Sequence, residues 1–283
     1  MITFEEVNSA PTFSKQLENK ILFSNHSYET SVSYQSTYTI KYVFEGLKHY
    51  NYNNQDVEVS KGEYLILNNG SQITTNVIRG TKGLSLFLSP RLIEEIYCFY
   101  SGNRSPIRFL EIVHGRSNHK IKTLLNQLVD LCNNDQVILE QQKEDVFIQI
   151  SELIVEEQVA FNESFNNLKI TKHDTKRALL KSIIKANDYI QDHFKDPITL
   201  DIMSRDIGLS KYYLHRLFKE INGLTPLQYL TKIRLENAKN KLQYSKDSIF
   251  EIAIACGFDT ISYFSNTFKR HTGLSPSQFR ENL

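Results

Sequence analysis

Hydrophobic and polar residues alternate through much of the stretch from residue 20 to residue 90. The clearest run, Tyr38-Thr39-Ile40-Lys41-Tyr42-Val43-Phe44, is rich in β-branched and aromatic side chains, which suits a pleated strand packed on at least one face. Gly46, Asn53-Asn54, Lys61-Gly62, Asn68-Asn69-Gly70 and Gly80 interrupt the pattern at turn-like intervals. Short strands so spaced predict a small barrel or sandwich. After Pro90 the spacing becomes helical: Leu124, Leu125, Leu128, Leu131 and Cys132 recur at threes and fours, as do Val146, Phe147, Ile150, Leu153 and Ile154. These two segments predict an antiparallel helix pair around Asn133-Asn134-Asp135. Residues 162–176 are polar and weakly periodic, which predicts an interdomain linker. From Ala178 onward the pattern is almost wholly helical. The expectation is an α+β chain of two domains, 1–161 and 177–283, the second all-α.

The helical region contains an internal repeat of fifty residues. Phe218-Lys-Glu-Ile-Asn-Gly-Leu-Thr-Pro-Leu-Gln-Tyr229 matches Phe268-Lys-Arg-His-Thr-Gly-Leu-Ser-Pro-Ser-Gln-Phe279 at six identical positions. Upstream, Leu200, Met203, Ile207 and Gly208 share their spacing with Ile249, Ile252, Cys256 and Gly257. Each copy reads as a helix, a glycine turn and a second helix. The glycine accepts positive φ and ends the first helix; Ser210 in one copy, and Asp259 or Thr260 in the other, caps the second. This is the pattern of a helix-turn-helix. Thr225-Pro226 and Ser275-Pro276 place a cap and a first-turn proline at the start of the next helix. In the first copy Leu214, Leu217, Phe218 and Ile221 form the apolar stripe, so Lys211, Tyr212, His215, Arg216 and Lys219 face outward. In the second, Phe264 and Phe268 point inward and Ile261, Ser262, Ser265, Asn266 and Lys269 outward. An apolar Ile261 on a polar face suits a thymine methyl group better than water. A helix from about Leu227 to Leu242 joins the copies and would hold them about one DNA turn, ~34 Å, apart.

Composition narrows the reading. With 283 residues, 40% of them hydrophobic, two cores are expected. No basic stretch leads into an apolar run with a cleavage site, and no segment approaches the ~20 apolar residues that cross a bilayer. A cytoplasmic protein with no membrane partner is expected. Cys98, Cys132 and Cys256 are odd in number and widely spaced, which argues against a disulfide framework or a metal-ligand pair. His26, His49, His114 and His119 are likewise scattered, so no metal site is expected. No nucleophile elbow, phosphate-cradling loop or paired-carboxylate motif occurs, so no catalytic residue and no cofactor are assigned. The net charge of +1 hides an asymmetry. Residues 178–283 hold 15 Lys and Arg against 11 Asp and Glu, and residues 1–177 hold 18 against 21. The helical part is the basic one.

The C-terminal hundred residues resemble the AraC/XylS family of bacterial transcriptional regulators. The motifs are Leu200-x2-Met203-x3-Ile207-Gly208-Leu209-Ser210, Tyr213-Leu214-x2-Leu217-Phe218-Lys219, Arg234-Leu235-x2-Ala238, Ile249-x2-Ile252-Ala253-x3-Gly257-Phe258-x4-Tyr263-Phe264-x3-Phe268-Lys269 and Gly273-x-Ser275-Pro276-x2-Phe279-Arg280. The resemblance implies that Tyr212, His215 and Arg216 read bases from the first recognition helix, and Ile261, Ser262 and Asn266 from the second. Ser210, Lys211, Lys219, Thr260, Lys269 and Arg270 would meet the DNA backbone. Family members often carry arginine at the position of Asn266, and an amide there favours adenine over guanine.

The first ninety residues are similar to the cupin-type barrel that many family members carry as a sensor. By that resemblance Tyr38, Tyr42 and Phe44 are candidates to line an effector pocket, with ordinary core packing as the other reading. Leu124, Leu125, Leu128 and Leu131 form a seam that pairs either with a twin chain or inside the domain. The implied partners are promoter DNA, RNA polymerase, a small-molecule effector and a second copy of the chain, and activation is favoured. An effector-independent architectural or repressor-type DNA-binding protein is the alternative.

Overall fold

The computed structural model describes residues 2–7, 19–26, 29–104, 106–115, 119–133, 139–167 and 173–282. The chain divides into two compact units, Met1–Asn167 and Leu168–Leu283.

The first unit is built on two sheets. Strands β1 (Thr3–Val7), β2 (Lys20–Asn25), β4 (Tyr38–Glu45), β7 (Glu63–Leu67), β9 (Lys82–Leu88) and β10 (Val113–His114) form one, in the order β1-β2-β9-β4-β7-β10. Strands β3 (Thr30–Gln35), β5 (Leu47–Tyr52), β6 (Gln55–Ser60) and β8 (Gln72–Val77) form the other, in the order β3-β8-β5-β6. The six-stranded sheet is the middle layer. On one face Tyr38, Ile40 and Tyr42 of β4 pack with helices α1 (Pro90–Ser101), α2 (His119–Cys132) and α3 (Leu139–Asn167) through Ile93, Leu128 and Phe147. On the other, Val43, Leu65 and Leu67 meet Tyr50, Tyr52 and Ile73 of the four-stranded sheet. Covered on both sides, β4 and β9 are buried almost end to end.

That burial takes two lysines out of water. Lys41 donates to Ser85 Oγ at 3.0 Å, with the Tyr34 and Phe87 rings 5.1 and 4.8 Å from its ammonium. Lys48 donates to Ser24 Oγ at 2.6 Å, and Ser24 passes its own proton to the Gly83 carbonyl at 2.9 Å. Desolvation disfavours the charged amine, and burial lowers Lys48 to about 7.

Two elements of this unit escape the hydrophobic pattern. Strand β1 lies before the expected β region and pairs parallel with β2; as an edge strand it buries only Val7, so its sequence hardly alternates. Strand β10 has two residues paired with β7. Helix α3 runs on to Asn167 and the next helix begins at His173, so helix enters the stretch 162–176 from both ends. That stretch contains neither Gly nor Pro to stop a helix. Of the break expected at Asn133-Asn134-Asp135, the last two residues lie outside the described ones.

The side chains of Tyr38 and Tyr42 are core residues, and their hydroxyls donate to the Ile107 carbonyl at 2.9 Å and to Asn126 Oδ1 at 2.5 Å. Phe44 is half-buried against Phe23, ring centroids 5.2 Å apart. Leu125 and Leu128 are wholly buried in their own unit, with Leu124 and Leu131 partly buried against the same core. Intradomain packing therefore accounts for the inner half of the leucine seam.

The second unit is helical: α4 (His173–Asp192), α5 (Leu200–Ile207), α6 (Lys211–Asn222), α7 (Pro226–Tyr244), α8 (Ile249–Ala255), α9 (Ile261–Thr272) and α10 (Pro276–Glu281). The repeat is visible in its packing. Phe218 meets Tyr229 edge-on at 5.5 Å, and the repeated pair, Phe268 and Phe279, does the same at 5.4 Å. Phe264 and Phe268 anchor a cluster with Leu235, Ala238, Ile252 and Phe258. Among the described residues, no helix is long and apolar enough to cross a membrane.

Candidate nucleic-acid interface

Each copy of the repeat starts its exposed helix with a hydroxyl cap. Ser210 Oγ accepts from the Tyr213 amide at 3.4 Å and Thr260 Oγ1 from the Tyr263 amide at 3.2 Å. Capping leaves the first amides of α6 and α9 at the positive end of the helix dipole, where an anion is favoured. The turns before them differ. In the first copy α5 closes on Gly208 at φ 75°; in the second α8 closes on Cys256, and Gly257 follows at φ 82°. The second turn is longer: five residues, 256–260, separate α8 from α9, against three, 208–210, between α5 and α6.

Helix α6 buries Leu214, Leu217 and Phe218. Its opposite side presents Lys211, Tyr212, His215, Arg216 and Lys219 to solvent, with Tyr212 90% exposed. A groove of about 960 Å³ lies on this side, lined by Leu200 and Glu220 together with Ser210, Lys211, Tyr212, His215, Arg216 and Lys219. The six first-copy residues proposed from sequence thus share one concavity. The Arg216 guanidinium lies 5.4 Å from the Tyr213 ring one turn back, which steadies it. Lys211 is ion-paired with Asp201 of α5 at 2.6 Å. Such an exposed pair is worth at most ~1 kcal/mol, so a phosphate can displace the carboxylate.

Helix α9 buries Phe264, Thr267 and Phe268. Ile261, Ser262, Asn266, Lys269 and Arg270 are exposed, Ile261 at 41%, while Ser265 is half-buried. None of these lines the α6 groove; they make a second face on a second helix. Lys269 and Arg270 place cations in the last turn, where they favour the helix dipole.

Sequence reasoning missed three contributors. Glu220 brings a carboxylate to the groove lining. Tyr263, read as a motif residue, is 53% exposed at the start of α9. Arg234 of α7, also read only as a motif residue, donates from Nε to the Phe194 carbonyl at 2.7 Å and from Nη2 to the Asp196 carbonyl at 2.9 Å. Burial lowers its affinity for its proton, and Asp259 and Asp196 act the other way. Its spacing from other polar residues carried no signal, because its partners are backbone atoms 38 and 40 residues away.

Helix pairs of this kind, with one helix packed inward and its neighbour's polar side open, define a helix-turn-helix protein, and residues 203–282 match the family described as helix-turn-helix domain. Among curated proteins, the transcriptional activator RhaS of Escherichia coli O1:K1 is 30% identical over 171 residues, 59% of this chain and 57% of RhaS. Among solved structures, the C-terminal domain of AraT, a response regulator from Geobacillus stearothermophilus, is 38% identical over 36% of this chain and 85% of that domain, with a TM-score of 0.35. A regulator from Chromobacterium violaceum described as containing an AraC-type DNA-binding domain is 30% identical, covering 36% of this chain and 91% of that one, also at a TM-score of 0.35. Residues 203–282 are thus a helix-turn-helix domain, and the chain is similar there to transcriptional activators of the RhaS type. It spans little more than half the length of the curated relatives it matches.

Proposed function

We propose that the protein is a sequence-specific DNA-binding transcriptional regulator, and that each repeated helix pair is a helix-turn-helix unit. The observation that carries this reading is the matched pair α6 and α9. Both bury a stripe ending in a repeated phenylalanine, Phe218 and Phe268, and both leave open a polar side of the length and width that a major groove accepts. Tyr212, His215 and Arg216, and on the second helix Ile261, Ser262 and Asn266, read base edges. Ser210, Lys211, Lys219, Thr260, Lys269 and Arg270 hold the phosphates on either side. Phosphate contacts position the protein and base contacts select the sequence. An exposed isoleucine and an arginine stacked on tyrosine are groups that discriminate between bases, where an unselective binder needs only charge.

Activation through RNA polymerase is the mode we favour, by analogy with the RhaS activators. The first unit then serves as the cupin-like sensing and pairing module, with residues 162–176 between it and the DNA-binding unit. The test is affinity for a site selected from random duplex against bulk random DNA, both at one salt concentration. A ratio of at least ~10³ is expected for a specific regulator, and a ratio near one contradicts it.

A further inference from the structure

The second helix pair and α7 come into close contact with the segment that leads into the first pair. On α7, between the pairs, Arg234 spends both arms of its guanidinium on the segment that leads into α5: Nε on the Phe194 carbonyl at 2.7 Å and Nη2 on the Asp196 carbonyl at 2.9 Å. Phe258, just after the α8 turn, places its ring 6.0 Å from the same guanidinium. Gly257 closes the contact from the other side. A Cβ there would stand 2.7 Å from the Phe194 carbonyl oxygen, 2.9 Å from that of Lys195 and 3.0 Å from Arg234 Nε. Backbone of the second pair therefore lies flat on backbone that runs into Thr199, the cap of α5.

The internal repeat supplies the comparison. Gly208 holds the corresponding position in the first pair, with φ 75° against 82° for Gly257, yet a Cβ at Gly208 would meet nothing within 4 Å. Both glycines are needed to turn the chain, and only Gly257 is also needed for a close approach. The contact is thus an addition to the helix-turn-helix, not a requirement of it. A planar guanidinium fixes direction as well as distance, which a lysine ammonium does not.

We propose that Arg234, seated against Gly257 and Phe258, is the positioning residue that locks the two helix pairs into a single DNA-binding register. It touches no base; it sets the spacing and rotation at which α6 and α9 meet the duplex. The inference rests on the reading of both helices as base-reading elements. Rigid coupling makes the second helix's contacts intramolecular, with the high effective concentration that a matched span gives and a steep loss when the span is wrong.

The experiment measures binding of the full chain to a selected site and to the same site with two base pairs inserted between its halves. The wild type is expected to lose about 100-fold in affinity on insertion, and Arg234→Ala less than about ten-fold, because the loosened pair adapts to the new spacing. Gly257→Ala should follow Arg234→Ala, and Arg234→Lys should fall between. Reading the ratio of the two affinities cancels any loss of folded protein, which lowers both equally, and Arg234→Lys replaces Arg234→Ala if the latter does not fold. Variants that keep the full insertion penalty, whatever their overall affinity, would make Arg234 a stabilising residue only and overturn the proposal. Failure of the underlying reading looks different: the wild type itself then shows no preference for the selected site or no insertion penalty, and the proposal falls with it.

Discussion

Arg216 and Lys219 sit one turn apart on α6 and differ in what they can recognise. On the proposed reading, a guanidinium held by the Tyr213 ring would present a fixed fork to the base edges, whereas the Lys219 ammonium in the same groove is a point charge. Arg216→Ala should cost about 1 to 3 kcal/mol on the selected site and relax preference at one base pair, while Lys219→Ala weakens all sequences alike and lowers the salt slope by about one. Titrations on matched, singly mismatched and random duplexes separate the two; equal losses on all three for Arg216→Ala would remove it from the base-reading set. A different residue-scale test lies in the β unit. The buried Lys48 titrates near 7 in the folded protein against an ordinary 10.5. Below pH 7 both states hold the proton and the fold must bury a charge; between 7 and 10.5 only the unfolded chain holds it, so stability climbs with pH. Lys48→Met should therefore stabilise the unit most below pH 7 and progressively less toward pH 10.5, as read by chemical denaturation at several pH values. A gain that is flat with pH would show that the amine titrates alike in the folded and unfolded chain, and so that burial does not shift it. The outward residues of α6 were legible from spacing alone, because an apolar stripe at threes and fours leaves no choice about which side faces water. The two lysines were not, since a polar letter in an alternating strand reads as solvent-facing until the second sheet is seen to cover it.

At the scale of elements, the strength of each expectation followed how much burial each element commits. Helices α6 and α9 bury their whole inner stripes, and their caps were legible as Ser210 and as one of Asp259 and Thr260, of which Thr260 is the cap. The capping boxes that open α7 and α10, Thr225 with Gln228 and Ser275 with Gln278, were half visible as Thr-Pro and Ser-Pro steps. Strand β1 commits one buried residue and left almost no trace, and the polar outer turns of α3 imitate a linker. The paired edge-on contacts of Phe218 with Tyr229 and Phe268 with Phe279 show the repeat to be a packing unit as well as a sequence pattern. Phe268→Ala should destabilise the helical unit by about 3 to 5 kcal/mol, since nothing beside it is free to collapse into the space. Hydrogen exchange over residues 249–282 measures this, and protection unchanged there would refute the packing assignment.

At the scale of the whole molecule, a basic helical unit and an acidic sheet unit share one chain, which explains why a net charge of +1 conceals a DNA-facing surface. Two recognition helices in one chain read a longer site than one can, provided that they contact successive segments of the same duplex. Base-modification interference on the selected site, probing guanines, adenines and thymine methyls, tests that claim most directly. The account requires two clusters of interfering bases in the major groove, on one face and about 34 Å apart, with Arg216→Ala erasing one contact in one cluster only. A single cluster, or two on opposite faces of the duplex, would contradict it.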